Sequence, residues 1–414
     1  MTKFFISIPR FFQSYAVVIA ALLIMMVSWG IYYSFGIFFK PILLEFGWTR
    51  AMTSGAFSFS WLMSGFVGIF MGGLTDKYGP RVVLSICGVL AGVGYLMMSQ
   101  ISEFWQLYLF YGVLIGAGTS TFTSLTSTIA RLYDERRTIM TGIVTVGIGV
   151  GSLIVPPMAN QIILSHDWRT SFVVLGVVTL VVMIVSAQFL QGHSTKMAQK
   201  IQYPRKEAVQ ISIPLEDTRV FTLRDAVATR QFWIILAMFF CLGFSVLTAQ
   251  VHLVPYATDV NISPTTAANI LAAIGGSSII GRVVLGGVGD KIGNRRAIII
   301  GFILLAVPLF CLAFARETWM LFMIAIVFGI GYGDCVASET PLVASVFGLK
   351  SIGILIGFVA TAFTIGAALG PVVAAYIFDV TESYQAAFIL TAVVGAIGLV
   401  VTITLSPIRN KLKD

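Results

Sequence analysis

The chain has 414 residues, of which 57% are hydrophobic and only 11% charged, with a formal net charge of +8. Soluble domains carry about 25% charged residues, so the composition excludes a water-exposed enzyme and a disordered chain. The apolar residues suffice for about twelve of the roughly 20-residue stretches that cross a bilayer. A helical protein with many spans is the class that remains.

Apolar runs fall at 15–39, 52–74, 81–99, 104–129, 138–162, 170–190, 231–256, 266–289, 297–315, 318–346, 352–378 and 384–405. They predict spans 1 to 12. Lys3 and Arg10 lead into the first run, and no small-residue cleavage pattern follows. That run is therefore predicted to be a span and not a signal peptide. The longest polar interruption, rich in Lys, Arg, Asp and Glu, lies between runs six and seven. The predicted organisation is a six-helix bundle over 1–191, a central loop over 192–229 and a second bundle over 230–414. With the N-terminus inside, 21 Lys and Arg fall on inner segments and 4 on outer ones. Basic residues accumulate on cytoplasmic loops, so both termini are expected in the cytoplasm, and the +8 needs no nucleic acid. Cys87, Cys241, Cys311 and Cys335 lie in apolar runs without a C-x-x-C pair, and read as small core residues.

The chain repeats itself. Gly72-Gly-Leu-Thr-Asp76-Lys-Tyr-Gly79-Pro-Arg81 matches Gly286-Gly-Val-Gly-Asp290-Lys-Ile-Gly293-Asn-Arg295 at an offset of 214. Gly142 and Pro156 match Gly357 and Pro371 at 215, and Trp168 to Phe172 match Tyr384 to Phe388 at 216. Two copies of one six-span unit follow. Paired repeats build alternating-access carriers, with substrate held between them near mid-membrane.

The repeated Asp-x-x-Gly-x-Arg loops resemble the signature of the major facilitator superfamily. More narrowly, the chain resembles monocarboxylate–proton symporters and, next, oxalate–formate antiporters. The features are Arg131-Leu-Tyr-Asp-Glu-Arg136-Arg137 before the Gly-rich span 5, Asp167-Trp-Arg169 before span 6, Val251-His-Leu-Val-Pro-Tyr256 in span 7, and Arg282 in span 8. The resemblance implies an all-α membrane fold of twelve helices in two pseudo-symmetric bundles, with spans 1, 4, 7 and 10 lining a cavity. It implies a carrier of small carboxylates and protons, active as a monomer in a membrane, with no enzymatic activity and no cofactor. Two positions depart from it. Tyr33 stands where that family often has a substrate-linked Lys, and Ser278 where it often has an Asp.

Arg282 is the sharpest single signal. A mid-membrane Arg costs at least roughly 2.5–3.5 kcal/mol on insertion scales, and its repeat counterpart is Gly68, so it is no part of the shared scaffold. Its guanidinium stays charged and offers a fork matched to a carboxylate. Substrate binding is weighed against a structural ion pair or snorkelling. Tyr332, Tyr33 and Thr121 are the accompanying substrate candidates, within an aromatic set (Trp29, Tyr32, Tyr33, Phe35) and a hydroxyl set on span 4. Helix packing by small residues is the plainer reading of the hydroxyl set.

Asp334 reads either as a proton carrier or as a fixed partner of Arg282. His252 reads as a proton relay or as a buried, hydrogen-bonded ring. Asp259, paired by the repeat with Glu45, reads as an outer gate or scaffold group or as a site of proton uptake. Glu339 reads as a gating partner. Asp76, Arg81, Asp290 and Arg295 read as inner-face gating groups that latch an outward-open state. No Walker A run and no metal-ligand spacing occurs, so no metal is expected. The sequence reading is a proton-coupled monocarboxylate carrier, lactate-like in substrate, in a bacterial inner membrane. An organic-anion exchanger is the alternative.

Overall fold

A computed structural model describes residues 10–133, 137–190, 223–347 and 352–405, and every long apolar run within them is helical. Hydrocarbon offers the backbone no partner, so each span must satisfy its own N–H and C=O groups. Span 1 comprises the helices Arg10–Tyr33 and Phe35–Phe46, separated at Ser34, whose hydroxyl donates back to the Gly30 carbonyl at 2.7 Å. Spans 2 and 3 are Arg50–Tyr78 and Pro80–Met98. Span 4 is interrupted. Phe104–Leu107 passes into a π-helical stretch, Tyr108–Ile115, then Gly116–Gly118, and resumes as Phe122–Leu132 after a turn at residues 119–121. Spans 5 and 6 are Arg137–Ser165 and Trp168–Phe189, and a short helix, Leu223–Val227, precedes span 7, Arg230–Asp259. Span 8 runs Pro264–Ile280, then a π-helical stretch Gly281–Leu285, then Gly286–Ile292. Spans 9 to 12 are Asn294–Leu312, Thr318–Phe347, Ile352–Thr381 and Gln385–Thr404.

Twelve spans were expected, and eleven helices among the described residues are each long and apolar enough to cross a membrane. Span 4 falls short because its turn divides it. Irregular backbone at this depth is tolerated only against protein or a cavity, and Thr119 and Thr121 are both wholly buried. Three cysteines are buried as expected, whereas Cys311 is exposed.

Spans 1, 5 and 6, and spans 3 and 6, pack in the first half of the chain; spans 7, 11 and 12, and spans 8, 9 and 10, pack in the second. The halves meet where span 2 lies on span 11, span 5 on span 8, and the second helix of span 1 on span 7. The repeated loops have the same geometry. Gly79 has φ +83° and Gly293 has φ +91°, a region that disfavours side chains. Each ends its helix, donating to Thr75 at 3.0 Å and to Gly289 at 2.9 Å. That is the physical reason for the glycine in the repeat.

The end of the molecule where span 1 begins is called the terminal end here, and the other the distal end. At the distal end the halves are latched. Arg50 pairs with Asp259 at 2.8 Å, Lys40 pairs with Asp259 at 3.1 Å, and the Asp379 carboxylate accepts from the backbone N–H groups of Arg50 and Ala51 at 3.0 and 2.8 Å. Between described residues, the polar, ring and glycine contacts that join the halves run from this latch to mid-depth. They stop at Gly65 against Thr364 and at Arg282 against Thr145. At Gly142, further toward the terminal end, an added Cβ would meet nothing within 4 Å.

Candidate functional site

Arg282 lies in the π-helical stretch of span 8. Such local widenings are frequent at functional positions. Its backbone is pressed against span 10: a Cβ at Gly333 would lie 3.0 Å from the Arg282 amide nitrogen, and one at Gly281 would lie 3.1 Å from that of Asp334. Glycine at both positions lets the two helices cross at backbone contact.

The two charges at this crossing leave in opposite directions. The Arg282 side chain reaches into the other half of the molecule, where Nη1 donates to the Thr145 carbonyl of span 5 at 2.5 Å. The residue is 9% exposed, and its Nε and Nη2 are buried without a hydrogen-bond partner among the described residues. Asp334, wholly buried, turns toward span 9. Its Oδ1 accepts from the Ser338 hydroxyl at 3.2 Å, and Oδ2 faces the Gly301 backbone without a well-formed hydrogen bond to a described residue. No ion pair or hydrogen bond joins the Arg282 and Asp334 side chains, so a fixed ion pair between them is absent from this conformation. Backbone contact at the crossing accounts for it, because side chains then diverge around the helices.

Tyr332 and Tyr33 are brought together. Their hydroxyls are 3.2 Å apart across the seam between halves, and the Arg282 guanidinium carbon lies 5.8 Å from the Tyr332 ring centroid. Behind Tyr33 stand Trp29 and Trp61, with centroids 5.6 and 6.4 Å from its ring. Thr121, in the turn of span 4, has its hydroxyl 3.5 Å from that of Ser28 on span 1. The site is one fixed cation with two free donors, bordered by aromatic rings at the meeting of the halves.

The other candidates lie apart from it. His252 is fully buried, with Nδ1 3.1 Å from the Tyr384 hydroxyl and Nε2 2.8 Å from the Pro371 carbonyl. A carbonyl can only accept, so Nε2 carries a proton and donates. Tyr384 in turn accepts from Arg50 Nη1 at 2.6 Å, which ties His252 to the distal latch. Asp259 belongs to that latch through Lys40 and Arg50. Arg50 also stacks 3.7 Å over the Phe378 ring centroid. A cleft of about 840 Å³ opens beside it, lined by Arg50, Asp259, Tyr256, Arg316, Phe378 and Tyr384 among others. It lies over the latch and not at Arg282.

At the terminal end, Arg295 donates to the Ile403 carbonyl at the close of span 12. This is a favourable place for a cation. Arg81 is half-buried at the start of span 3. The side chains of Asp76 and Asp290 lie outside the described residues. Glu339 is half-buried on span 10, with no ion pair or hydrogen bond to a described residue. Among the described residues no group of three or more His, Cys, Asp and Glu could hold a metal ion.

Sequence reasoning missed three parts of this arrangement. The Thr145 acceptor is a backbone atom and has no residue signature. Trp61 reads as one more apolar residue of span 2. Arg50 was counted only as a loop charge, although the repeat held a clue. Glu45 is held within its own half by Arg169 Nη2 and Trp168 Nε1, each at 2.6 Å. The counterparts of Trp168 and Arg169 are Tyr384 and Gln385, so Asp259 lacks that cationic partner in its own half and is paired across the seam.

Paired six-span repeats, discontinuous helices at mid-depth and a buried cation between the halves define a multi-pass membrane transporter and no enzyme. Residues 18–259 and 237–414 match the profile of the Major Facilitator Superfamily, and the chain belongs to that family. Monocarboxylate transporter 13 of Rattus norvegicus is 25% identical over 392 residues, covering 94% of this chain and 88% of its own. The oxalate:formate antiporter of Oxalobacter formigenes is 24% identical, covering 91% and 87%. Among solved structures, a bacterial homologue of the human lysosomal transporter Spinster, inward-facing and unoccupied, superposes with a TM-score of 0.73 at 16% identity, covering 96% of this chain and 98% of that one. A point mutant of the nucleoside transporter NupG gives 0.71 at 12% identity, covering 94% and 99%.

Proposed function

We propose that the chain carries small monocarboxylates, lactate-like in size, by proton-coupled symport. The observation that supports this is the pair of unpartnered donors on Arg282. Nε–H and Nη2–H point from one edge of a planar cation, the arrangement that accepts both oxygens of a carboxylate. A lone fixed positive charge suits a monoanion, and a proton moving with it keeps the cycle electroneutral. Asp334 is the proposed proton carrier, since it is the buried carboxyl at the same helix crossing and no cation neutralises it there. His252 and Asp259, hydrogen-bonded and ion-paired at the distal latch, are proposed as gate groups.

The two proposed bundles, 1–191 and 230–414, rock about the site. In the opposite conformation Asp76, Arg81, Asp290, Arg295 and Glu339 latch the terminal end. With the charge bias of the loops, that end faces the cytoplasm of a bacterial cell, and one chain suffices for transport. The test is uptake of labelled L-lactate into proteoliposomes after a pH step. One pH unit corresponds to about 1.4 kcal/mol, or roughly tenfold accumulation. Arg282→Ala is expected to lower uptake by at least about 100-fold, whereas Arg282→Lys, which keeps the charge and loses the fork, retains part of it. Normal uptake by Arg282→Ala would overturn the proposal.

Organic-anion exchange is the second reading, and one observation favours it. Arg282 has no acidic partner among the described residues, so a carrier returning unloaded must close over a buried cation without a counter-ion. Uptake stimulated by internal acid and indifferent to pH would select this reading.

A further inference from the structure

Two more buried donors beside the Arg282 site have no hydrogen-bond partner among the described residues: Nε1 of Trp29, in a residue 8% exposed, and Nε1 of Trp61, in one 5% exposed. Buried indole N–H groups ordinarily find an acceptor. The rings lie 5.8 Å apart, both pack on Tyr33, and Trp61 also meets Phe363 of span 11 across the seam. Tyr33 leads through Tyr332 to Arg282. Ring contacts thus connect four donor nitrogens that have no hydrogen-bond partner among the described residues.

Their depths give the spacing. Spans 1 and 5 run side by side in the same direction, with Gly147 against Leu22 and Met25, and Gly151 against Met26 and Gly30. Thr145, which holds the guanidinium, therefore lies near the level of Leu22. Trp29 is seven residues further along, roughly 10 Å at 1.5 Å per residue. Side chains on span 1 lean back toward its N-terminus, which brings the indole closer to the cation.

We propose that Trp29 and Trp61 are specificity-determining residues that donate to a second oxygen on the transported acid. The favoured substrates are then monocarboxylates of four or five carbons with a hydroxyl or carbonyl oxygen two or three carbons beyond the carboxylate carbon. This rests on the carboxylate reading of Arg282 and sharpens it. A site built around such donors discriminates against analogues that lack the acceptor.

The test uses purified carrier in liposomes and two matched pairs: butyrate with 3-hydroxybutyrate, and valerate with 4-oxovalerate. In the wild type, the oxygenated member of at least one pair is expected to have the higher kcat/KM by about tenfold, the order of one well-placed hydrogen bond. Replacing Trp29 or Trp61 by 3-benzothienylalanine keeps the ring shape and puts sulfur in place of N–H. The ratio is then expected to fall below about threefold, through loss of the oxygenated acid. Trp29→Phe, checked for an unaltered melting temperature, is the genetically encoded companion. Equal transport within both pairs by the wild type, with Arg282→Ala inactive, would overturn the role of the indoles and leave the carboxylate reading standing. A preference that survives both sulfur replacements would overturn it as well. No flux of any of the four acids while L-lactate is still carried would overturn the role of the indoles alone, and no flux of these acids or of L-lactate would remove both proposals.

Discussion

Arg282 donates from one of its nitrogens to a backbone carbonyl, and its other two nitrogens have no hydrogen-bond partner among the described residues. A buried donor left unpaired costs about 1–3 kcal/mol, more when the group is charged, and an anion accepting from both nitrogens would offset that cost. Tyr332 supports the guanidinium with its ring face, worth about 2 kcal/mol when desolvated, and touches Tyr33 with its hydroxyl. Tyr332→Phe keeps the ring and drops the hydroxyl contact; we expect KM to rise a fewfold, where Tyr332→Ala loses most of the uptake. Transport kinetics on the two variants separate the ring from the hydroxyl. Asp334→Asn is expected to abolish accumulation driven by a pH step, while exchange between preloaded and external acid continues. Accumulation that persists in this variant would make Asp334 a packing residue.

Discontinuities place these residues. Span 4 breaks at residues 119–121, where Thr121 faces Ser28, and span 8 widens at Arg282, where Gly281 and Gly333 bring two backbones together. Gly333→Val forces the helices apart, and overpacking of this kind costs about 1–3 kcal/mol. The expected outcome is a lower melting temperature in detergent together with loss of uptake. Helix starts are conventional by comparison. The Thr49 hydroxyl accepts from the Met52 N–H at 3.1 Å to cap span 2, and Thr49→Ala should cost about 1 kcal/mol. Asp167 caps span 6 from solvent, and the Thr170 N–H that it accepts holds its carboxyl below the ordinary carboxylate range. A carboxyl lowered on folding stabilises above its unfolded pKa, and that contribution is lost as pH falls through the folded value. Asp167→Asn should therefore narrow the difference in melting temperature between neutral pH and about pH 3.

The whole molecule is a pair of repeats that differ where function requires a difference. Glu45 is satisfied inside its own half; Asp259, with Gln385 in place of the arginine, is left for Arg50 and Lys40 of the other half. One missing cation thus converts an internal brace into a latch between halves. Partly exposed ion pairs contribute only up to about 1 kcal/mol each, which suits a gate that must open, because a carrier's states can differ by only a few kcal/mol. Gln385→Arg is expected to recapture Asp259 and part the distal ends, and Arg50→Gln to act in the same direction. Spin labels at Leu44 and Val380, exposed on spans 1 and 11, would report a longer distance in both variants; an unchanged distance would show that the latch lies elsewhere.

Composition alone determined that this chain spans a membrane, since so few charges cannot cover a water-exposed surface of this length. Its internal offsets determined the twofold plan, because equivalent glycines and prolines must serve equivalent turns. Arg282 was legible for the same reason that it is costly: a charge in an apolar run stands out. Tertiary structure decided the rest. Whether Arg282 pairs with Asp334 depends on which side of a helix crossing each side chain leaves, and no linear pattern records that. Thr145 offers a carbonyl, which every residue has. Trp29 and Trp61 differ from the buried Trp168 in lacking an acceptor among the described residues, a property of their surroundings. The distal latch joins groups more than two hundred residues apart, and only the packing of the two halves brings them within reach.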